Sequence, residues 1–194
     1  MKAKKIYDLA KNSIPVLPNS QSTKILIMEA VRMVREAEKA RDTILEHMQE
    51  LASNLPEYSV VISMCGIGSI LATRIIAEIE DIRRFHSKNA LIAYAGIDAP
   101  PYQSGAFTST NRRISKRGNK YLRKTGYEIM LSIIRKKPTT DDAVYQFILK
   151  KESEGKSKRT AKIAGLNKFL KIYYARANEA YRGLNNQLVF SNQN

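Results

Sequence analysis

Cysteine is nearly missing from this sequence: Cys65 is the only one in 194 residues. A single thiol makes no internal disulfide and no cysteine-cluster metal site. Histidine is almost as scarce, and neither His47 nor His86 sits in a motif that suggests a Ser-His-Asp arrangement. No stretch approaches the ~20 consecutive apolar residues of a spanning helix, so no membrane partner is expected. The N-terminus, MKAKKIYDLAKNSIPVLPNS, is basic and lacks the continuous apolar block of a signal peptide. The expected location is the cytoplasm. Acid is in short supply as well: 18 Asp and Glu stand against 33 Lys and Arg, a formal charge of +15. That imbalance favours a polyanion as partner, and nucleic acid leads because the basic residues cluster along foldable helices.

What is present is a folding sequence. Hydrophobic residues make up 43% of the chain, enough for one good core with a helical arm. From Thr23 to Leu51 the positions Ile27, Ala30, Val34, Ala37, Arg41, Ile44, Met48 and Leu51 follow alternating spacings of three and four. This is a heptad seam interrupted once, at Arg41. Two readings stay open: a helix packed on its own domain, or a coiled coil, dimeric or intramolecular. Pro18, Ser20 and Ser22 mark its start, and Asn54-Leu55-Pro56 its end.

Next comes YSVVISMCGIGSILATRIIAEIEDIRRF, an apolar segment, a Gly66-Ile67-Gly68 turn and a second apolar segment at helical spacing. The pattern is that of a helix-hairpin-helix over 58–80. Free N–H groups at the start of its second helix suit a phosphate, and Gly66 and Gly68 let a backbone approach closely. A bare packing hairpin fits the same pattern. SKNALIAYAGI reads as a short helix with Ser87 as N-cap and Gly96 as its end. DAPPYQSGAFTST is an ordered loop or small extended segment. KYLRKTGYEIMLSIIRKK resumes as a helix stopped by Pro138, and two more helices follow, split near Gly155. The fold class is therefore mainly α: a long coiled-coil-type helix, a helix-hairpin-helix, and a small helical domain with a Pro/Gly/Ser loop. Strand content is expected to be small.

The stretch QSGAFTSTNRRISKRGNKYLRK, residues 103–124, contains no acid, and its second half carries Arg112, Arg113, Lys116, Arg117, Lys120, Arg123 and Lys124. A solvated basic face normally includes compensating acids; a block without them points to phosphates, with binding that weakens steeply in salt. Lys116, Lys120, Arg123 and Lys124 gather on one side if the helix starts near Ser115, a start that Gly118 argues against. A second basic cluster is led by Lys156, Lys158, Arg159 and Lys162, while Tyr173 and Tyr174 read as core. Ser104, judged locally, is an ordinary loop hydroxyl; as a nucleophile it needs cations for the developing charge and a proton acceptor from elsewhere. Glu78, Glu80, Asp81, Asp98, Asp141 and Asp142 are the candidate acids for a metal, and solvated residues are the simpler reading. No metal site is expected in this chain.

Taken together, Gly66-Ile67-Gly68, Ala95-Gly96, Gln103-Ser104-Gly105 and Lys116-Arg117-Gly118 followed by Leu122-Arg123 resemble the C-terminal domain of the IS-one-ten / IS-one-sixteen / IS-nine-oh-two family of insertion-sequence transposases. The likeness runs from about Lys5 to Tyr174. It implies a DNA recombinase in two parts, an N-terminal RuvC-like domain whose acids hold magnesium and a C-terminal domain bearing a serine nucleophile. By position that serine is Ser104, and its attack leaves a 5′-phosphoserine link to DNA. The likeness also implies a structured guide RNA as partner beside DNA. Residues 1–22 resemble the joint between the two parts and read as a linker remnant. Residues 23–55 form the long helix, 56–183 the transposase C-terminal domain and 184–194 a flexible tail. A homo-oligomer through 23–51 is expected, and magnesium is expected only with a separate RuvC-like domain, so activity of this polypeptide by itself is left open. The alternative is a non-catalytic helix-hairpin-helix module that binds nucleic acid.

Overall fold

The computed structural model describes residues 2–14, 16–99, 103–104, 107–108 and 113–191. They divide into two compact units, 1–46 and 47–194. The fold is mainly α, and among the described residues strand is confined to one pair of two-residue segments.

The first unit holds α1 (Lys2–Lys11) and most of α2 (Gln21–Ser53). The segment expected as a linker remnant thus contains a helix. No glycine or proline interrupts α2, and Ala, Glu, Arg, Met and Leu dominate it, all strong helix formers. Ser20 caps the start, its Oγ accepting the Thr23 N–H at 3.2 Å. Arg32 pairs with Glu29 one turn before it and Glu36 one turn after. None of the described side chains in this unit is buried, and the seam residues Ile27, Val34 and Ile44 are each more than half exposed.

The second unit contains the core. After the end of α2 come α3 (Tyr58–Ser63), α4 (Ser69–Ile79), a 3-10 turn at Ile82–Arg84 and α5 (Lys88–Tyr94). The strands β1 (Gln103–Ser104) and β2 (Phe107–Thr108) pair antiparallel, Gln103 opposite Thr108 and Ser104 opposite Phe107. Helices α6 (Lys120–Lys136), α7 (Ala143–Ser153) and α8 (Lys158–Ser191) complete it. Ile75 and Ile79 of α4, Leu91 of α5, Leu122 and Ile129 of α6, Ile148 of α7, and Phe169 and Tyr173 of α8 meet in one apolar cluster. Such burial is worth roughly 1.5–3 kcal/mol per large side chain, which is why this unit holds together as the first one's exposed seam cannot. Helix α8 is the central element, packing on α3, α5, α6 and α7.

Several sequence signals mark real boundaries. Ser87 caps α5, its Oγ accepting the Ala90 N–H at 3.2 Å. Lys137 ends α6 in the left-handed region directly before Pro138, and Gly155, at φ +80°, separates α7 from α8. Tyr173 is fully buried, and the Tyr174 hydroxyl donates to the Phe85 carbonyl at 3.0 Å, so both are structural as read. The backbone of α8 continues as helix through Ser191, within the stretch expected as a tail.

Candidate nucleic-acid interface

The acid-free basic block approaches α6 along a short extended segment that is bound to the end of α5. Three backbone bonds make the seam. Ser115 N–H donates to the Asp98 carbonyl at 2.8 Å, Lys116 N–H to the Gly96 carbonyl at 3.0 Å, and Asn119 N–H to the Tyr94 carbonyl at 2.6 Å. Ser115 Oγ adds a bond to the Asp98 carboxylate. Residues 94–98 and 115–119 therefore lie side by side, and the chain between them, which includes Ser104, leaves and returns at one place.

Two glycines make this approach feasible. Gly118 lies against the end of α5, where a Cβ on it would stand 2.0 Å from the Tyr94 carbonyl oxygen. Gly96 turns the chain out of α5 at φ +65°, in the region that suits glycine. The Ala95-Gly96 and Lys116-Arg117-Gly118 motifs thus meet as the two halves of one backbone contact.

Asn119 fixes the direction in which the block enters the helix. Its Oδ1 accepts the N–H groups of Tyr121 at 2.8 Å and Leu122 at 3.1 Å, an N-cap on α6. Its Nδ2 donates to Glu78 Oε2 at 2.9 Å and to the Tyr94 hydroxyl at 3.2 Å, tying the cap to α4 and α5. Because the helix begins after Asn119, Lys116 and Arg117 lie on the extended approach and Lys120 and Lys124 one turn apart on α6. Lys116 adopts φ +56°, an uncommon conformation for a residue with a side chain.

The cations divide into two kinds. Arg113, Lys116, Arg117, Lys120 and Lys124 are exposed, and among the described residues none forms an ion pair. Arg123 differs: its Nη1 donates to the Ala95 carbonyl at 2.8 Å, holding the last turn of α5. Arg112 lies outside the described residues. Ser104 is described as backbone, in β1, and its side chain lies outside the description.

The hairpin glycines have separate surroundings. Gly66, at φ +85°, is buried against α6, where an added Cβ would stand 2.3 Å from Ile133 Cγ1. Gly68 is exposed at the N-cap of α4, with no neighbour within 4 Å of an added Cβ. Of the two, Gly68 has the open position that a phosphate requires.

The candidate acids do not converge. Glu78 binds Asn119, Asp98 binds Ser115, and Asp81 accepts both the backbone N–H and the guanidinium of Arg83. The Arg83 contact holds the Asp81 carboxyl below the usual carboxylate range. Asp141 forms a two-point pair with Arg176, at 2.7 and 3.0 Å. Among the described residues no group of three His, Cys, Asp or Glu could hold a metal ion. The acids among the described residues do not fit a magnesium site.

Sequence reasoning did not single out Asn119 and Tyr94. The signal for Asn119 was available, since asparagine directly before a helical stretch is a cap signature. Nothing in the sequence pairs Tyr94 with position 119.

The class defined by these features is a mainly α-helical protein in which an unneutralised basic segment is bound at the foot of a hairpin loop. Residues 58–146, a little under half of the chain, match the model of the Transposase IS116/IS110/IS902 family. The resemblance read from the motifs is borne out over that stretch, and the match supports an insertion-sequence transposase-like function. No curated protein matches the chain. No helix among the described residues is long and apolar enough to cross a membrane.

Proposed function

We propose that this chain is the serine-bearing, DNA-binding part of an insertion-sequence transposase. The observation that supports it is the seam between 94–98 and 115–119, which sets the foot of the loop carrying Ser104 beside five cations that have no carboxylate partner among the described residues. In this reading Ser104 Oγ attacks a DNA phosphorus, the bond to the 3′-oxygen breaks, and a 5′-phosphoserine link remains with a free 3′-hydroxyl. Arg113, Lys116 and Arg117 oppose the charge that develops on the phosphoryl oxygens. Lys120 and Lys124 hold adjoining backbone phosphates, and Gly68 offers a backbone N–H at the start of α4. The carboxylates that hold magnesium belong to a RuvC-like part acting with this chain. A structured guide RNA is the second polyanion, and the exposed seam of α2 joins two copies.

The test supplies the RuvC-like part in trans with magnesium and element-end DNA. A protein–DNA adduct resistant to denaturant is expected from the intact chain and not from Ser104→Ala. Tight DNA binding without an adduct in either protein would leave a non-catalytic helix-hairpin-helix module in its place.

A further inference from the structure

A groove of about 440 Å³ lies between α7 and α8. Its apolar lining is Phe147 from α7 with Ile163 and Ala164 from α8. Lys168 and Lys171 line it too, and Thr160 and Asn167 add neutral hydrogen-bonding groups. No acid lines it. Ile97, directly before the Asp98 that anchors the serine loop, lines it as well.

Phe147 is the distinctive residue. It is half-buried, outside the core cluster, and two ammonium groups lie over its ring, Lys168 at 5.0 Å and Lys151 at 5.3 Å. Lys151 is held by Glu154 at 2.6 Å, whereas Lys168 has no carboxylate partner among the described residues. Lys168 is therefore free to leave the ring for a phosphate, uncovering an aromatic face between cations. An aromatic face, flanking lysines and amide and hydroxyl groups at the edge are what an unpaired nucleotide needs. The volume admits a base and its sugar but not a duplex, whose base faces are stacked and inaccessible.

We propose that this groove binds an unpaired nucleotide of single-stranded DNA, its base on Phe147 and its flanking phosphates on Lys168 and Lys171. The choice of DNA rests on the function proposed above, because Ile97 connects the groove to the loop of Ser104; the recognition chemistry does not.

The test uses the full chain and a short oligothymidylate carrying one 2-aminopurine. The protein has no tryptophan, so the probe is read without that background. Stacking on Phe147 quenches the probe. Phe147→Ala and Phe147→Leu are expected to abolish the quenching and weaken single-strand binding by about 5- to 150-fold, the range alanine substitution gives at stacking platforms, while Phe147→Tyr retains both. Leucine keeps the groove filled, so a folding defect confined to the alanine variant does not obscure the result. Duplex binding is expected to be unchanged in all three. Lys168→Ala and Lys171→Ala are each expected to reduce the single-strand salt slope by about 0.7. Equal quenching in wild type, Phe147→Ala and Phe147→Leu would overturn the proposal. So would displacement by poly-glutamate as effective as by oligothymidylate of equal charge. Tighter Phe147-dependent binding of the matching RNA would overturn the assignment to DNA. The Ser104→Ala adduct assay reads the proposed function separately: an adduct with no Phe147-dependent quenching removes only the groove, and quenching with no adduct removes only the nucleophile.

Discussion

Gly96 and Gly118 face each other across the foot of the serine loop. A Cβ on Gly118 would stand 2.6 Å from the Gly96 amide nitrogen, and one on Gly96 would stand 2.7 Å from that of Gly118. The contact is between backbones, so neither side can rotate away as a side chain would. Gly118→Ala must push the 115–119 segment off α5 and break the bond from Asn119 N–H to the Tyr94 carbonyl. We expect a loss of about 3 kcal/mol in urea unfolding, at the upper end for overpacking. Gly155→Ala is the control. It has a positive φ but no neighbour within 4 Å of an added Cβ, and it should cost about 1 kcal/mol.

The basic block should divide by salt dependence. Lys116, Arg117 and Lys120 are exposed and form no ion pair among the described residues, so each alanine substitution that removes a phosphate contact should flatten the duplex salt slope by about 0.9. Arg123→Ala should behave differently. With its guanidinium bound to the Ala95 carbonyl, its removal should lower the melting temperature more than it changes the slope. Equal slope changes for all four would mean that Arg123 leaves Ala95 when DNA binds.

Much of the helix order could be read from the sequence because its signals are local. The three–four spacing through Ile27, Val34 and Ile44 announced α2, and Ser87, Pro138 and Gly155 marked boundaries that depend only on nearby backbone. The site was less legible, because its geometry comes from contacts distant in sequence. Gly118 looked like an obstacle to an early helix start; what requires it is Tyr94, on another helix. Arg123 looked like one more cation in the block, and only the folded chain, which brings the start of α6 to the end of α5, shows its guanidinium on Ala95. Gly66 looked like a hairpin turn and is equally a packing site for Ile133. The helix at 2–11 was hidden by a short segment whose apolar residues find no core.

Asn119 offers a test of cap against tether. If its role were only to cap α6, Asn119→Asp would be nearly neutral, since aspartate caps as well as asparagine. The same side chain, however, donates to Glu78 Oε2 at 2.9 Å, where a second carboxylate would meet like charge. Asn119→Asp should therefore destabilise at neutral pH by at least the ~1 kcal/mol expected for a lost cap in Asn119→Ala. Chemical denaturation of both variants distinguishes the two roles.

The loop between α6 and α7 should respond to acid through Asp141. Its carboxylate accepts two bonds from Arg176 on α8 and one at 3.3 Å from the Cys65 N–H in the turn before α4. The Arg176 guanidinium is the main cause that lowers its pKa on folding, with burial opposing. A carboxylate depressed in the folded state adds stability above its unfolded value, near 4, and that contribution disappears as pH falls through the folded value. Each partner is about one-third exposed, at 36% and 33%, so solvent screening limits the pair to about 1 kcal/mol. Asp141→Asn isolates the charge: asparagine tolerates the φ of +49° at this position and can still accept from Cys65. Urea unfolding should find the variant weaker than wild type by about 1 kcal/mol at pH 7, with the two converging only once pH has fallen below the folded value, at about pH 2. A gap that persists at about pH 2 would mean that the shape of the Asp141 side chain, and not its charge, joins the turn before α4 to α8.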